Sequence, residues 1–270
     1  MIHKSEKKIA VIGRGIAGLS AAYFLQKHGF DVSVFGPHAS RGSASWAATG
    51  LFLNKGLFLA RTSLFADKLA AARFLPTFIE RLKRESKQDV PACFTGAYEF
   101  IKDFKDYHKL RERIFHREPT GAFGLKFLVG NELQAQNSFA KNYLNTQGLS
   151  VGSFFYPKDG FLDPEALLQA LEKYLKQAGV FFVDENVKQV LWRERVSQIT
   201  LKTDSYSFKN IDNLILATGS MTPAFLDLLK VKDLSLRTSV GHSVAASLPE
   251  ELPSFGAKRG KSNFVVLRNK

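Results

Sequence analysis

Residues 8–37 of the 270-residue chain read KIAVIGRGIAGLSAAYFLQKHGFDVSVFGP, and their pattern indicates the fold class. The apolar run at 8–12 predicts a strand buried on both faces. Residues 15–28 carry apolar side chains at helical spacing and predict a helix that Gly29 ends. Residues 31–35 predict a second strand, which Gly36-Pro37 ends. A strand, a helix and a strand in so short a stretch form the unit that builds a parallel sheet.

The glycines between the first strand and the helix match the pattern G-x-G-x-x-G. Gly13 permits a tight turn, Gly15 lets the backbone approach a pyrophosphate, and Gly18 lets the helix pack closely on the sheet. The backbone N–H groups of residues 15–18, which include Ile16 and Ala17, lie at the positive end of the helix dipole and suit phosphate groups. The motif in this context predicts a dinucleotide site.

One part of the dinucleotide fingerprint is missing. An acidic residue is expected at the end of the second strand, where it would hold the ribose hydroxyls, but that position is Gly36. Arg41 lies nearby and could meet a 2′-phosphate, which would indicate NADP. Alternatively, other groups hold the ribose and the site is a divergent FAD site.

Composition and charge restrict the class of protein. The single cysteine, Cys93, excludes an intramolecular disulfide and a cysteine-cluster metal site, and it favours a reducing, cytoplasmic location. Arg14 interrupts the basic, signal-like start of the chain, and no apolar run has the length of a membrane span. The net charge of +13 favours polyanionic partners such as nucleic acid or phosphate-bearing cofactors.

Four segments in a fixed order resemble one known family. They are residues 8–35, SASWAATGL at 43–51, GFLDPEALLQALEKYLKQAG at 160–179 and LILATGS at 214–220. Together they resemble the FAD-dependent oxidoreductases of the D-amino-acid oxidase type, which include glycine and sarcosine oxidases. The resemblance implies FAD as the cofactor and oxidation of a C–N bond in a small amine or amino acid.

The resemblance also implies an architecture. The expected fold class is α/β, with a Rossmann-like FAD-binding domain and an inserted mixed α+β substrate domain. The FAD-binding domain would comprise residues 1–86 and 155–230, and the substrate domain residues 87–154 and 231–270. Family members continue with further strands and a return to the FAD domain, so we expect this chain to be either a shortened relative or a fragment.

Site residues follow from the resemblance position by position. Those expected at the pyrophosphate are Gly13, Gly15, Ile16, Ala17 and Gly18, and those near the ribose or phosphates are Arg41 and Ser45. Thr49, Gly50 and Leu51 would lie near the flavin ring, the backbone of Val187 near the adenine, and Ala217, Thr218 and Gly219 beside the dinucleotide. No catalytic residue and no metal site are identified. Candidate substrate contacts are His242, Arg259, Lys55 and Arg61.

Two short segments resemble one branch of the family. FYPKDGFL at 155–162 and SVGH at 239–242 are similar to the oxidase half of the bifunctional enzyme that modifies the wobble uridine of tRNA. A tRNA substrate would use the positive charge, because phosphate contacts come chiefly from Lys and Arg. A small amine substrate, a non-catalytic nucleotide- or RNA-binding relative, and an NADP-linked reductase that uses Arg41 stay open as alternatives.

Overall fold

A computed structural model describes the chain in segments, and the chain divides into two compact units. The described residues are 6–39, 42–52, 65–101, 103–117, 124–129, 132, 151–193, 198–229, 231, 234, 236, 238–242, 244, 255–259 and 262–266. The first unit comprises Met1–Ala48, Leu82–Asp89 and Pro164–Ser243. The second unit comprises Thr49–Arg81, Val90–Asp163 and Val244–Lys270.

The described residues form both strands and helices. The strands are β1 (Lys8–Ile12), β2 (Asp31–Phe35), β3 (Leu51–Phe52), β4 (Ala92–Cys93), β5 (Ala97–Ile101), β6 (Lys126–Leu128), β7 (Gly152–Tyr156), β8 (Gly160–Leu162), β9 (Phe181–Val183), β10 (Gln189–Arg193), β11 (Gln198–Lys202), β12 (Ser207–Ile211), β13 (Asn213–Leu216), β14 (Phe255–Arg259) and β15 (Ser262–Val266). The α-helices are α1 (Ile16–Lys27), α2 (Phe65–Ser86), α3 (Phe104–Arg117), α4 (Pro164–Gln177) and α5 (Thr222–Leu228).

A parallel sheet is the centre of the first unit. Its strand order is β13-β1-β2-β9, and all three pairings are parallel. The central strand β1 is buried from Ile9 to Ile12, as its unbroken apolar run predicts. Because all strands run the same way, the turns that follow β1, β2, β9 and β13 gather at one edge of the sheet, where α/β folds bind their ligands.

Helices α1 and α4 and a second sheet also belong to the first unit. Helix α1 packs on α4, where the rings of Tyr23 and Tyr174 lie 4.8 Å apart and the Tyr174 hydroxyl donates to Gln26 Oε1 at 2.7 Å. The antiparallel sheet β10-β11-β12 contributes Ile199 and Leu201 to a buried cluster that also contains residues of β1 and β2. The parallel sheet thus packs against α1 and against the antiparallel sheet.

The second unit contains two further sheets. One has the order β15-β14-β5-β7-β6 and mixes antiparallel pairs with the parallel pair β14–β5. The other has the order β3-β8-β4 and is antiparallel. Gly96, with φ +112°, separates β4 from β5, and a Cβ there would lie 2.3 Å from the Phe155 ring. Only glycine fits this turn.

Several elements differ from the sequence-based expectations. The charged stretch 102–117 contains helix α3, whose Tyr107, Leu110 and Ile114 have helical spacing and pack on the cluster around Phe154. The sequence of residues 92–102 is typical of one strand, but the structure has two there, β4 and β5. Residues 38–60, rich in Gly, Ala and Ser, are typical of a loop, but Leu51–Phe52 form β3, and no local pattern predicts β8 or α5. Short strands and charge-rich helices have a weak hydrophobic periodicity, so whether they form depends on the elements they pair with or pack against.

Candidate dinucleotide site

The turn between β1 and α1 is fixed by its contact with the end of β13. Gly13 has φ +115°, and its N–H donates to Phe35 O at 2.8 Å. A Cβ at this position would lie 2.2 Å from Ala217 O, in the residue that follows β13. The Ala217 N–H donates in turn to Ile12 O at 2.8 Å. The predicted residues Gly13 and Ala217 are therefore in direct contact, and no side chain fits between them.

The other two glycines of the motif have different surroundings. Gly18 is buried, and a Cβ there would lie 2.0 Å from Gly13 O, so it sets the distance between α1 and the turn. Gly15 has extended backbone at the N-cap of α1, and a Cβ there would meet only the Ser45 side chain, with Oγ at 2.9 Å. Among these three glycines, Gly15 is the one whose Cβ position meets a side chain and no backbone atom of the described residues.

The N-terminus of α1 has the chemistry of a phosphate site. Ile16 and Ala17 are exposed, the Ile16 N–H donates to Ser45 Oγ at 3.0 Å, and the first turn of α1 contains no acidic residue. The N-terminal N–H groups and the helix dipole favour an anion at this place. The close contacts at Gly13 and Gly18 hold the turn against the start of α1, and the N–H groups there suit the pyrophosphate of a dinucleotide.

Two more predicted residues lie beyond β13, at the same edge of the sheet. Thr218 Oγ1 and Thr222 Oγ1 are 3.0 Å apart, and Gly219, with φ +57°, begins a short 3₁₀ turn that leads into α5. Thr218 and Gly219 follow Ala217, whose carbonyl contacts Gly13. The structure therefore brings the ATG segment and the glycine motif together.

The remaining predicted site residues have varied positions. Val187 is buried in the cluster of β1, β2 and β11, so its side chain is part of the core. Thr49, Gly50 and Leu51 belong to the second unit, where Gly50 has φ +71° and its carbonyl accepts from Leu162 N–H at 3.0 Å. Arg41 lies outside the described residues.

Gly36, where the fingerprint expects an acid, contacts an unpredicted arginine. Gly36 has φ +127°, and its carbonyl accepts from Arg14 Nη1 at 3.2 Å. The same Nη1 donates to Asp184, the residue after β9, and the Arg14 guanidinium lies 4.9 Å from the centre of the Phe182 ring. The Arg14 side chain is only 1% exposed. It therefore links the ends of β1, β2 and β9 from a buried position.

Glu172 on α4 balances the charge of Arg14 from the other side. Its Oε1 lies 2.8 Å from Arg14 Nη2 and 2.6 Å from Lys176 Nζ, and its Oε2 lies 3.1 Å from His38 Nδ1. Burial of the Glu172 carboxylate raises its pKa. The hydrogen bonds from Lys176 and Arg14 outweigh this effect, so the pKa of Glu172 lies below its ordinary value. Glu172 is therefore ionised at neutral pH.

The sequence-based prediction overlooked this charged group. It comprises Arg14, His38, Glu172 and Asp184, and we call it the β2-edge cluster. The available signal was Arg14 itself, because an arginine inside a G-x-G-x-x-G motif, directly after a buried strand, needs carboxylates around it. Which carboxylates these are depends on the pairing of β2 with β9, and the sequence does not show that pairing.

Comparison with known proteins identifies the family. The sequence profile of the FAD dependent oxidoreductase family, DAO, matches residues 8–269. The chain belongs to this family. The family confirms both the resemblance and the predicted cofactor, FAD, and it confirms the predicted class of enzyme, an FAD-dependent oxidoreductase.

Individual relatives are distant. D-amino acid dehydrogenase of Helicobacter pylori is 23% identical over 292 residues, covering 92% of this chain and 68% of the relative. The tRNA 5-methylaminomethyl-2-thiouridine biosynthesis bifunctional protein MnmC of Magnetococcus marinus is 25% identical over 216 residues, covering 80% of this chain and 30% of MnmC. Relatives of both predicted kinds, amino-acid enzymes and a tRNA-modifying enzyme, are thus found.

Solved structures share the fold of this member of the family. Glycine oxidase from Geobacillus kaustophilus superposes with a TM-score of 0.70 at 18% identity, covering 84% of this chain and 59% of the oxidase. This chain therefore spans about three fifths of the length of that structure. The predicted mixed α/β fold with a Rossmann-type FAD domain is confirmed. Across the described residues, no helix is both long and apolar enough to span a membrane.

The candidate substrate contacts give no catalytic group. His242 is exposed, and Arg259 is the last residue of β14. Lys55 and Arg61 lie outside the described residues. An exposed histidine does not by itself identify a general base. The candidate functional residues are therefore those of the glycine turn and the ATG segment.

Proposed function

We propose that this protein is an FAD-dependent oxidoreductase that oxidises a C–N bond of a small amine or amino acid to an imine. The observation that carries the proposal is the glycine cradle at Gly13, Gly15 and Gly18, which lies against Ala217 in a chain of the FAD-dependent family. Relatives named as D-amino acid dehydrogenase and glycine oxidase support the substrate class.

The chain's own residues would hold the cofactor in two ways. The N–H groups at the start of α1 would bind the pyrophosphate, helped by the helix dipole. The close contact of Gly18 with Gly13 would keep the turn rigid, so that little ordering is needed on binding. Bound FAD would supply the two-electron acceptor for this oxidation, in which the substrate loses a hydride from the carbon next to nitrogen and a proton from the nitrogen; oxygen or another acceptor would take the two electrons later.

The second unit contains most of the proposed substrate domain. Its five-stranded mixed sheet, β15-β14-β5-β7-β6, supports this assignment, because the resemblance implies an inserted mixed α+β domain. The predicted domain boundaries, 87–154 and 231–270 for the substrate domain, stay a proposal. A cytoplasmic location also stays a proposal, supported by the single Cys93.

An absorption spectrum tests the proposal directly. The purified chain, incubated with FAD and desalted, should retain flavin and show its visible bands. Anaerobic addition of glycine, sarcosine or D-alanine should then bleach those bands with at least one of the three. Flavin that is retained but not reduced by any amine would contradict the substrate class, and a chain that retains no FAD would contradict the proposed function altogether.

A tRNA substrate is the second candidate, favoured by the net charge of +13 and by the MnmC relative. It predicts that tRNA binds to the chain and that the affinity falls steeply with salt, because bound phosphates release counterions. A double-stranded DNA of equal charge is the matched control. Equal affinities for the two nucleic acids would indicate a charge effect alone, and no binding at low salt would exclude the candidate.

A further inference from the structure

The pairing of β2 with β9 places a carboxylate beside the position where the fingerprint lacks one. Phe35 pairs with Val183 in this parallel pair, so the next residues, Gly36 and Asp184, leave the sheet side by side. The Gly36 N–H donates to Val183 O at 3.0 Å, which fixes this register. Asp184 thus lies on the neighbouring strand, next to Gly36, at the carboxyl ends of the parallel strands.

The Asp184 carboxylate is held but accessible. Its Oδ1 accepts from Arg14 Nη1, while 67% of its side chain is exposed. An ionised carboxylate has about four lone-pair sites, so one hydrogen bond from Arg14 leaves acceptor capacity for a ligand. Glu172, the other carboxylate of the β2-edge cluster, is only 13% exposed and already meets Arg14, Lys176 and His38.

Arg14 gives Asp184 a defined orientation. The guanidinium donates through Nη1 to Gly36 O and to Asp184, and it pairs through Nη2 with Glu172. A planar guanidinium in this arrangement has little freedom, so the carboxylate it binds is preorganised. Arg14 lies 170 residues from Asp184 in the sequence, and the fold alone brings them together.

The charge balance at this edge favours an unphosphorylated ribose. The charge of Arg14 is met by the carboxylates of Asp184 and Glu172, and Glu172 also meets Lys176. A 2′-phosphate at this edge would be repelled by the Asp184 carboxylate. Ribose hydroxyls, in contrast, donate hydrogen bonds, and a carboxylate is a strong acceptor for them.

We propose that Asp184 accepts hydrogen bonds from the ribose hydroxyls in the adenosine half of FAD, and that Arg14 is its positioning residue. Asp184 would thereby take the place of the acid that is absent at Gly36. This inference rests on the proposed FAD-dependent function, because it assigns a further contact to the same site.

The test removes the carboxylate from the protein and the hydroxyl from the ligand. Affinities of ADP and of 2′-deoxy-ADP are measured by competition with FAD for wild type, for Asp184→Asn and for the control Asp31→Asn. Asp31 is an exposed aspartate at the opposite end of β2. Because a hydrogen bond to a charged group contributes about 1.5–3 kcal/mol, wild type should prefer ADP by about ten- to a hundredfold.

The expected result is a loss of discrimination in one variant alone. Asp184→Asn should bind FAD and ADP about ten- to a hundredfold more weakly and bind 2′-deoxy-ADP about as well as wild type does, and it should stay folded because Arg14 keeps Glu172 and Gly36 O as partners. Asp31→Asn should match wild type throughout. If Asp184→Asn keeps both the FAD affinity and the preference for ADP, the assignment of Asp184 is wrong although the proposed function stands. If wild type binds neither FAD nor ADP, the proposed function itself fails.

Discussion

The two parts of the candidate site would meet one cofactor by opposite means. The glycine turn, Gly13–Gly18, offers backbone N–H groups, and its geometry depends on the absence of side chains. The β2-edge cluster offers charged side chains that hold one another in position around Gly36. The first part is built from six consecutive residues, whereas the second joins one of these, Arg14, to Glu172 on α4 and to His38 and Asp184, which follow β2 and β9.

The two parts should therefore respond differently to substitution. A methyl group at Gly13 or Gly18 meets backbone atoms, which cannot move without moving β13 or α1. A change in the β2-edge cluster removes one of several charged contacts, and the remaining partners can compensate in part. Substitutions at Gly13 and Gly18 should therefore act on the fold, and those in the cluster on affinity and selectivity.

Gly18→Ala should have the largest effect. The new Cβ would lie 2.0 Å from Gly13 O, so α1 must move away from the turn. We expect a loss of about 3 kcal/mol or more in the free energy of unfolding, and no retained FAD. Urea denaturation and the flavin content after desalting measure the two effects.

Gly42→Ala is the matched control for Gly18→Ala. A Cβ at Gly42 meets nothing within 4 Å, so the same chemical change should leave stability and FAD retention unchanged. A Gly18→Ala protein that is as stable as Gly42→Ala would show that the close contact between α1 and the turn is not needed.

Gly15→Ala should separate binding from folding. Its Cβ meets only Ser45 Oγ, the end of a side chain that can rotate, so the fold should survive. The methyl group would still stand where a phosphate approaches the backbone, and FAD should bind about tenfold more weakly or worse. Fluorescence titration with FAD and a melting curve record the two quantities.

The double variant Gly15→Ala/Ser45→Ala decides the cause of that loss. If the methyl group acts by displacing Ser45, removal of the Ser45 hydroxyl should restore part of the FAD affinity. If it acts on the phosphate, the affinity should stay low. Full recovery in the double variant would argue against backbone contact with the pyrophosphate at Gly15.

The glycine turn was predictable because its information is local. Strand β1, the three glycines and α1 follow one another in the sequence, and each carries a known spacing. Asp184 was not predictable, because its role depends on the register Phe35–Val183 between strands that are far apart in the chain. The sequence shows that the acid is missing at Gly36, but it does not show that Asp184 lies beside Gly36 in the sheet.

The sheets of the second unit also depend on pairings between strands that are far apart in the sequence. Strand β14 pairs with β5 through Gly256–Ala97 and two further pairs, a contact between distant segments that no local pattern encodes. Helix α3 is charge-rich, and only Tyr107, Leu110 and Ile114 indicate its apolar face. Non-local pairing and short strands therefore explain why this unit was predicted less completely than the first.

Arg14→Lys should have a moderate effect that is specific to selectivity. Lysine keeps the positive charge but lacks the planar fork, in which Nη1 meets Gly36 O and the Asp184 carboxylate while Nη2 meets Glu172. We expect the preference for ADP over 2′-deoxy-ADP to fall to about half its wild-type value in free energy. A purely structural arginine would lower stability and leave this preference unchanged, which would contradict its positioning role.

Glu172→Gln should have the smallest effect on the cofactor, because Glu172 is largely buried and does not replace the missing acid. Its contribution should instead appear in stability against pH. A carboxyl whose pKa is lowered by folding stabilises the protein above its unfolded pKa, near 4.5, and this contribution is lost as pH falls through the folded pKa. Wild type should therefore exceed Glu172→Gln by about 1–2 kcal/mol at pH 7, with the difference vanishing in acid.

A carbon-13 NMR titration of the Glu172 carboxyl then tests the cause of this pH dependence. Burial raises the pKa of Glu172, and the hydrogen bonds from Lys176 and Arg14 lower it by more. Lys176→Gln removes one of these donors and leaves Arg14 in place, so the pKa of Glu172 should rise toward its ordinary value. The preference for ADP should not change in either variant, because Asp184 keeps its bond to Arg14. A changed preference would mean that the two carboxylates act as one unit, and the separation of an accessible ribose acceptor from a buried structural acid would then be lost.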